Sequence, residues 1–182
     1  MRFQTVQIQD KLGREITLRN AEKSDAADLI TFLKISASET PFLIREPDEI
    51  TITVEQEIGF IESKLHAERE FMLVATLEGK HIGNCSLMSS GPYKRYSHRC
   101  GVAIALYQEY CGCGIGKRIM QSVLEAAKQL GYEQVELEVV SNNIGAIEMY
   151  RKLGFEKYGC FPNNMKYSDG TYANTDWMMK IL

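Results

Sequence analysis

The sequence predicts an α+β sandwich built on one mixed sheet, and three observations carry that prediction. Short stretches with apolar residues at every second position recur along the chain. Four segments with helical apolar spacing interrupt them without strict alternation. A glycine-rich turn, Cys111–Gly116, joins one apolar stretch directly to the third of those helices.

Taken in order, residues 5–19 read as a strand pair. Val6 and Ile8 alternate, Asp10–Gly13 supplies the turn, and Ile16 and Leu18 alternate again. Ser24 and Asp25 start a helix with Ala26, Leu29, Ile30, Leu33 and Ala37 at helical spacing. Pro41 and Pro47 punctuate a loop, and Thr53 with Gln56 forms a capping-box pair opening a helix to about residue 68. Phe71–Leu77 and His81–Ser89 are antiparallel strands around the turn Glu78–Lys80.

A polar, Tyr-containing loop over Ser90–Arg99 leads into the strand Cys100–Leu106. The glycine turn follows, then a helix over 115–130 with Ile115, Ile119, Val123, Ala126, Ala127 and Leu130 inward, stopped by Gly131. Val135, Leu137 and Val139 alternate as a strand. Asn142 or Asn143 begins a helix carrying Ala146, Ile147, Tyr150 and Leu153, closed by Gly154. Two last strands, near Phe155–Phe161 and Trp177–Ile181, flank a polar stretch.

Length and composition narrow the function. A chain of 182 residues, 45% hydrophobic and 25% charged, is expected to form one domain, 1–182, of ordinary globular type. A formal charge of −3 argues against nucleic-acid binding, which wants a basic face. No apolar run approaches the ~20 residues of a membrane span, and residues 1–20 carry Arg2, Asp10, Lys11, Arg14, Glu15 and Arg19 in place of a signal-peptide core. Five cysteines, an odd number with several in apolar runs, fit a reducing cytoplasm.

The glycine turn carries the chemistry. Gly112, Gly114 and Gly116 let the backbone adopt positive φ and let a ligand approach closely. The unpaired N–H groups at the start of the next helix suit phosphate or pyrophosphate. A Walker A loop fails at Cys111 and Arg118, and the dinucleotide pattern G-x-G-x-x-G fails at Lys117. The Cys111/Cys113 pair has no second Cys or His pair nearby, so no metal site is expected. Thiols at a helix N-terminus are expected to be oxidation-prone.

The segment Cys111-Gly112-Cys113-Gly114-Ile115-Gly116 resembles the Q/R-x-x-G-x-G/A loop of the GCN5-related N-acetyltransferase (GNAT) superfamily, departing at its first position. Asn143 through Phe155 is similar to that superfamily's second motif, N-x-x-A-x-x-x-Y-x-x-x-G-F. The likeness is strongest over about 98–158. It implies a GNAT-like mixed, mostly antiparallel sheet of about seven strands, flanked by helices on both faces, with splayed central strands. It also implies an N-acetyltransferase with acetyl-CoA as co-substrate.

On that resemblance, the amides of Cys111, Gly112, Cys113, Gly114, Ile115 and Gly116 hold the pyrophosphate, with Lys117 and Arg118 adding charge. Backbone groups of Ile104 and Leu106 meet the pantetheine arm in the splay. Asn143 meets the pantetheine or the backbone beside it, and Ala146 leaves room for the cofactor. Tyr150 stands where family members often place a tyrosine beside the CoA sulfur, as general acid. Homodimers are common in the family, which admits a homodimer here.

Acyl transfer to an amine requires a neutral nucleophile, a polarised thioester carbonyl and a stabilised thiolate. Many relatives carry a glutamate base on the strand before the glycine loop; that position is Gly101. Glu138, Glu39, a water chain or His98 are the substitutes. The acceptor is expected to be a primary amine of a small molecule or peptide. Its cleft is expected from about 32–50 and 159–175, where Glu39, Glu46, Asp48, Glu49, Asp169, Tyr172 and Asp176 suggest an acidic rim beside Arg45, Lys157 and Lys166. A non-catalytic acyl-CoA-binding module of the same fold is the competing reading.

Overall fold

The computed structural model describes residues 2–182. The elements are β1 (Val6–Gln9), β2 (Glu15–Asn20), α1 (Ala26–Glu39), α2 (Val54–His66), β3 (Phe71–Leu77), β4 (Lys80–Ser89), β5 (Arg99–Leu106), α3 (Ile115–Gln129), β6 (Gln134–Val140), α4 (Ile144–Lys152), β7 (Glu156–Lys166) and β8 (Tyr172–Ile181). One eight-stranded sheet takes them in the order β1-β2-β3-β4-β5-β6-β8-β7. Every neighbouring pair is antiparallel except β5 with β6.

Local signals do what their chemistry requires. Thr53 Oγ1 accepts from the Gln56 amide while the Gln56 side chain accepts from the Thr53 amide, closing the capping box of α2. Gly131 and Gly154, at φ 76° and 88°, turn the chain out of α3 and α4. Asp10 Oδ1 accepts from the amides of Leu12 and Arg14 and sets the β1–β2 turn.

Three details differ from expectation. The sheet has eight strands, one above the expected number. The last two strands also extend to Lys166 and back from Tyr172, so the polar stretch is largely hairpin. Its polar side chains face solvent from an edge strand, where polarity does not oppose pairing. The inner face of α1 buries Phe32 and Ser36, while Leu33 and Ala37 are only half-buried.

Apolar faces divide between the two sides of the sheet. Side chains of α3 and α4 form the larger core with Leu18, Leu73, Cys85, Leu87, Val102, Val135, Leu137 and Val139. On the opposite face Ala26 and Leu29 of α1 and Ile61 of α2 pack on Met72 and Val74 of β3. Burial of these side chains supplies the main driving force.

His81, at the start of β4, sits on the α1 side with its ring centroid 4.9 Å from Phe32 and 6.4 Å from Tyr107. Both ring nitrogens are buried, with the Gly83 backbone as a polar contact. Burial holds the imidazole below its ordinary range, against that backbone contact and the pull of Asp25 and Asp28, with Arg19 pushing the same way as burial. The folded chain therefore binds fewer protons than the unfolded one around pH 6.5, and stability falls as pH drops through that unfolded value. The expected result is a wild-type Tm that drops between pH 7.5 and 5.5 by more than that of His81→Leu in parallel melts. Equal drops would refute it.

Candidate active site

The parallel pair β5–β6 opens the site. Its bridges run Arg99↔Gln134, Cys100↔Val135 and Gly101↔Glu136, and pairing stops there. Tyr107 N donates to Ile82 O at 3.1 Å and Ser90 N donates to Arg99 O at 3.3 Å. Hydrogen-bonded pairs recur at every second residue of an antiparallel ladder. In this register Ala105 and Ala103 are therefore tied to β4, and the N–H and C=O groups of Ile104 and Leu106 point the other way, into the gap. On the far side Ser141 N donates to Asn174 O at 2.9 Å, so by the same alternation Glu138 presents its main chain to the gap from β6.

The glycine turn sits at the end of that gap. Gly112 and Gly114 have φ of 77° and 85°, and Gly114 is the N-cap of α3 without a side-chain cap. The first backbone bond into the helix is Arg118 N to Gly114 O at 3.2 Å. The amides of Gly112, Cys113, Gly114, Ile115, Gly116 and Lys117 donate to no acceptor among the described residues. A Cβ on Gly116 would lie 3.3 Å from Met149 Sδ, 3.7 Å from Leu106 Cδ1 and 3.9 Å from Ile104 Cδ1. The start of α3 thus rests directly on the strand end that borders the gap.

Tyr150 comes up from α4, 8% exposed, with its ring 5.8 Å from Phe155. Burial, with the Cys85 thiol as electrostatic neighbour, pushes its phenol well above the ordinary value. Cys85 is the register partner of Ile104, so the ring lies under β4–β5 beside the gap. Its hydroxyl has no hydrogen-bond partner among the described residues. Asn143 is the N-cap of α4: its Oδ1 accepts from Ala146 N at 3.3 Å, and Ala146 packs against the core.

Glu138 points to the opposite face from Val135, Leu137 and Val139. It is exposed and accepts from Asn164 Nδ2, which also donates to Thr175 Oγ1 at 2.8 Å. Glu136, beside Gly101, is held by Arg99 Nη2 at 2.7 Å, and the Arg99 guanidinium keeps its carboxyl below the usual range. His98 lies before β5, with its carbonyl taken by the amides of Glu133 and Gln134.

Five of the six acids of the expected rim also carry a bond within the fold. Glu39 Oε2 accepts from Gln108 N at 2.9 Å, and Glu46 Oε1 accepts from Ser168 N at 3.0 Å. Glu49 caps Glu46, Asp169 caps Thr171, and Asp176 is buried against Lys157 and Ser141. Of the seven residues of that rim, Asp48 and Tyr172 stand exposed with no such bond among the described residues. Glu39, Glu46, Glu49 and Asp169 satisfy backbone amides at loop turns, and Asp176 alone is buried. The loop 40–50 and the β7–β8 hairpin do come together: Tyr167 Oη donates to Pro41 O at 3.0 Å.

Cys111 also departs from expectation. Its thiol donates to Tyr107 O at 3.6 Å, and burial, with Glu39 adding to it, raises its pKa. A raised thiol is a poorer thiolate, opposite to the lowering expected at a helix N-terminus, although Cys111 is exposed. One neighbour escaped sequence reasoning: Lys11, whose N donates to Cys113 O at 2.9 Å and whose Nζ donates to Gly112 O at 3.3 Å. No local signal links positions about a hundred residues apart.

A bare strand edge beside a cradle of free amides has the chemistry to receive an extended, phosphate-bearing ligand. Residues 32–155 match the profile of the acetyltransferase (GNAT) family. The chain is 28% identical over 165 residues to an N-alpha-acetyltransferase of Sulfurisphaera tokodaii, covering 90% of this chain and 92% of that one. A GNAT-family acetyltransferase of Streptococcus pneumoniae superposes with a TM-score of 0.87 at 27% identity, over 92% of this chain and 100% of that one. The yncA protein of Salmonella typhimurium, solved with its cofactor acetyl-CoA, superposes at 0.81 and 17% identity, over 92% and 94%. The chain belongs to the acetyltransferase (GNAT) family and is an N-acetyltransferase with acetyl-CoA as co-substrate. No helix among the described residues is long and apolar enough to cross a membrane.

Proposed function

We propose that the chain, acting as one domain, acetylates the α-amino group of a peptide N-terminus by direct attack on acetyl-CoA. The carrying observation is that the strand before the glycine turn offers Gly101 and no carboxylate, while Glu136 is ion-paired with Arg99 and Glu138 accepts from Asn164 Nδ2. The α-amine of a peptide N-terminus has a pKa of ~8, so roughly a tenth is already neutral at pH 7; a lysine-type amine at ~10.4 is neutral in less than about one part in a thousand. A site without a dedicated base suits the first and fails the second. The similarity to an N-alpha-acetyltransferase supports the same acceptor.

In this reading the amides of Gly112–Lys117 hold the pyrophosphate and Ile104 and Leu106 hydrogen-bond the pantetheine arm as an added strand. Asn143 positions α4, and Ala146 keeps its first turn close to the cofactor. The amine enters under the joined loop 40–50 and β7–β8 hairpin. Its nitrogen attacks the thioester carbon, the C–S bond breaks, and Tyr150 gives its proton to the departing sulfur. The proton lost by nitrogen leaves through water near Glu138, which orients through Asn164. We place the activity in the cytoplasm, with a homodimer as an admissible state.

Thiol release from acetyl-CoA across a panel of amines tests this. Peptides with free N-termini are expected to exceed a polyamine and an aminoglycoside by at least about tenfold in kcat/KM at pH 7.5. A preference for the polyamine would refute the α-amine. Tight CoA binding with no release from any amine would establish the non-catalytic module.

A further inference from the structure

A cavity of about 270 Å³ lies between the β1–β2 turn and the first turns of α3, lined by Gln9, Asp10, Lys11, Gly114, Lys117, Arg118 and Gln121. It shares Gly114 and Lys117 with the amide cradle, so a group seated in it lies within one helical turn of the pyrophosphate position. Lys11, Lys117 and Arg118 make no ion pair with any carboxylate among the described residues. The one acid in the lining, Asp10, has its side chain wholly enclosed and is already neutralised by Arg14 Nε at 2.7 Å. The cavity therefore carries uncompensated positive charge, with two glutamines as further donors.

No apolar or aromatic side chain lines it. An adenine ring, which seeks stacking or apolar contact, is poorly matched; a phosphate monoester, which seeks several cationic donors at once, is well matched. The turn is also built to hold Lys11 there. Lys11 N donates to Cys113 O, its Nζ donates to Gly112 O, and a Cβ on Gly114 would lie 3.1 Å from Lys11 Cγ. The hairpin is thus docked on the glycine turn through one backbone bond, Lys11 N to Cys113 O, that does not depend on the lysine side chain.

We propose that this cavity seats the 3′-phosphate of CoA, with Lys11 of the β1–β2 turn as the residue that selects CoA over its 3′-dephospho form. The inference rests on the acetyl-CoA reading and adds to it a specificity determinant outside both sequence motifs. Lys11 swings its ammonium from the Gly112 carbonyl onto the phosphate, and Arg118 flanks it from α3.

Calorimetric titration with CoA and with 3′-dephospho-CoA tests this on wild type, Lys11→Ala, Lys11→Arg and Arg118→Ala. The wild type is expected to favour CoA by at least about tenfold, as for a multiply contacted phosphate. Lys11→Ala is expected to weaken CoA about tenfold while moving dephospho-CoA less than about twofold, and Lys11→Arg to restore the preference. Equal wild-type affinities, or equal losses for both ligands in Lys11→Ala, would overturn the proposal while leaving the acetyl-CoA site standing. Absence of binding by both ligands to wild type would instead overturn the cofactor reading itself, and the proposal with it.

Discussion

Tyr150→Phe is expected to lower kcat by about a hundredfold while changing the affinity for acetyl-CoA less than about threefold. A positioned general acid contributes roughly 10²–10⁴ to rate, and the phenol is placed to serve as one. It is buried on α4, its hydroxyl has no partner among the described residues, and its electrostatic neighbour is Cys85, across the register from Ile104. The ring itself packs on Phe155, and phenylalanine preserves that contact. Loss of the oxygen therefore removes the proton donor with little change in the core. The pH profile gives a second reading. Burial raises the phenol's pKa, so it stays protonated throughout the assay range and contributes no falling limb up to about pH 9. Steady-state kinetics with calorimetry decide the point: equal losses in kcat and affinity, or none in either, would remove Tyr150 from the chemistry.

Gly83→Ala is expected to be the most damaging small substitution on the sheet, at a cost of about 3 kcal/mol, and to lower Tm by roughly 10 °C. A Cβ at Gly83 would lie 2.3 Å from Leu106 Cδ2 and 2.6 Å from the Ala105 carbonyl oxygen. The side-chain methyl could rotate away, but the carbonyl belongs to the β4–β5 ladder and moves only with the strand. Because Leu106 also lies against the Gly116 position, a shift of its side chain reaches the cofactor loop. A raised KM for acetyl-CoA is expected in the protein that remains folded. Melting curves and KM together check it; a Tm within about 2 °C of wild type would show that the strands absorb the methyl.

Much of the fold was legible because its signals are local. The capping box at Thr53 and Gln56, the stops at Gly131 and Gly154, and the alternation in Phe71–Leu77 each depend on residues within a turn or a strand. The β7–β8 hairpin was underestimated because an exposed edge strand tolerates the polar residues that read as loop. The family was legible from two short windows, the Cys111–Gly116 turn and the Asn143–Phe155 segment, taken together.

The acidic residues could not be read the same way. Glu39, Glu46 and Asp176 look like a charged rim in sequence and become hydrogen-bond acceptors in the fold. Their partners lie 69, 122 and 35 residues away, respectively. Lys11 reached the cofactor loop by the same kind of long-range contact, over 101 residues.

By itself the sequence determined the element order, the amide cradle and the family, since spacing within short windows specifies turns, caps and helix faces. Tertiary structure alone decided where the β5–β6 ladder stops, which strand edge is left bare, and which charges remain free to meet a ligand. Those outcomes depend on sheet twist and on hydrogen bonds between distant segments, and burial makes each such bond costly to leave unmade.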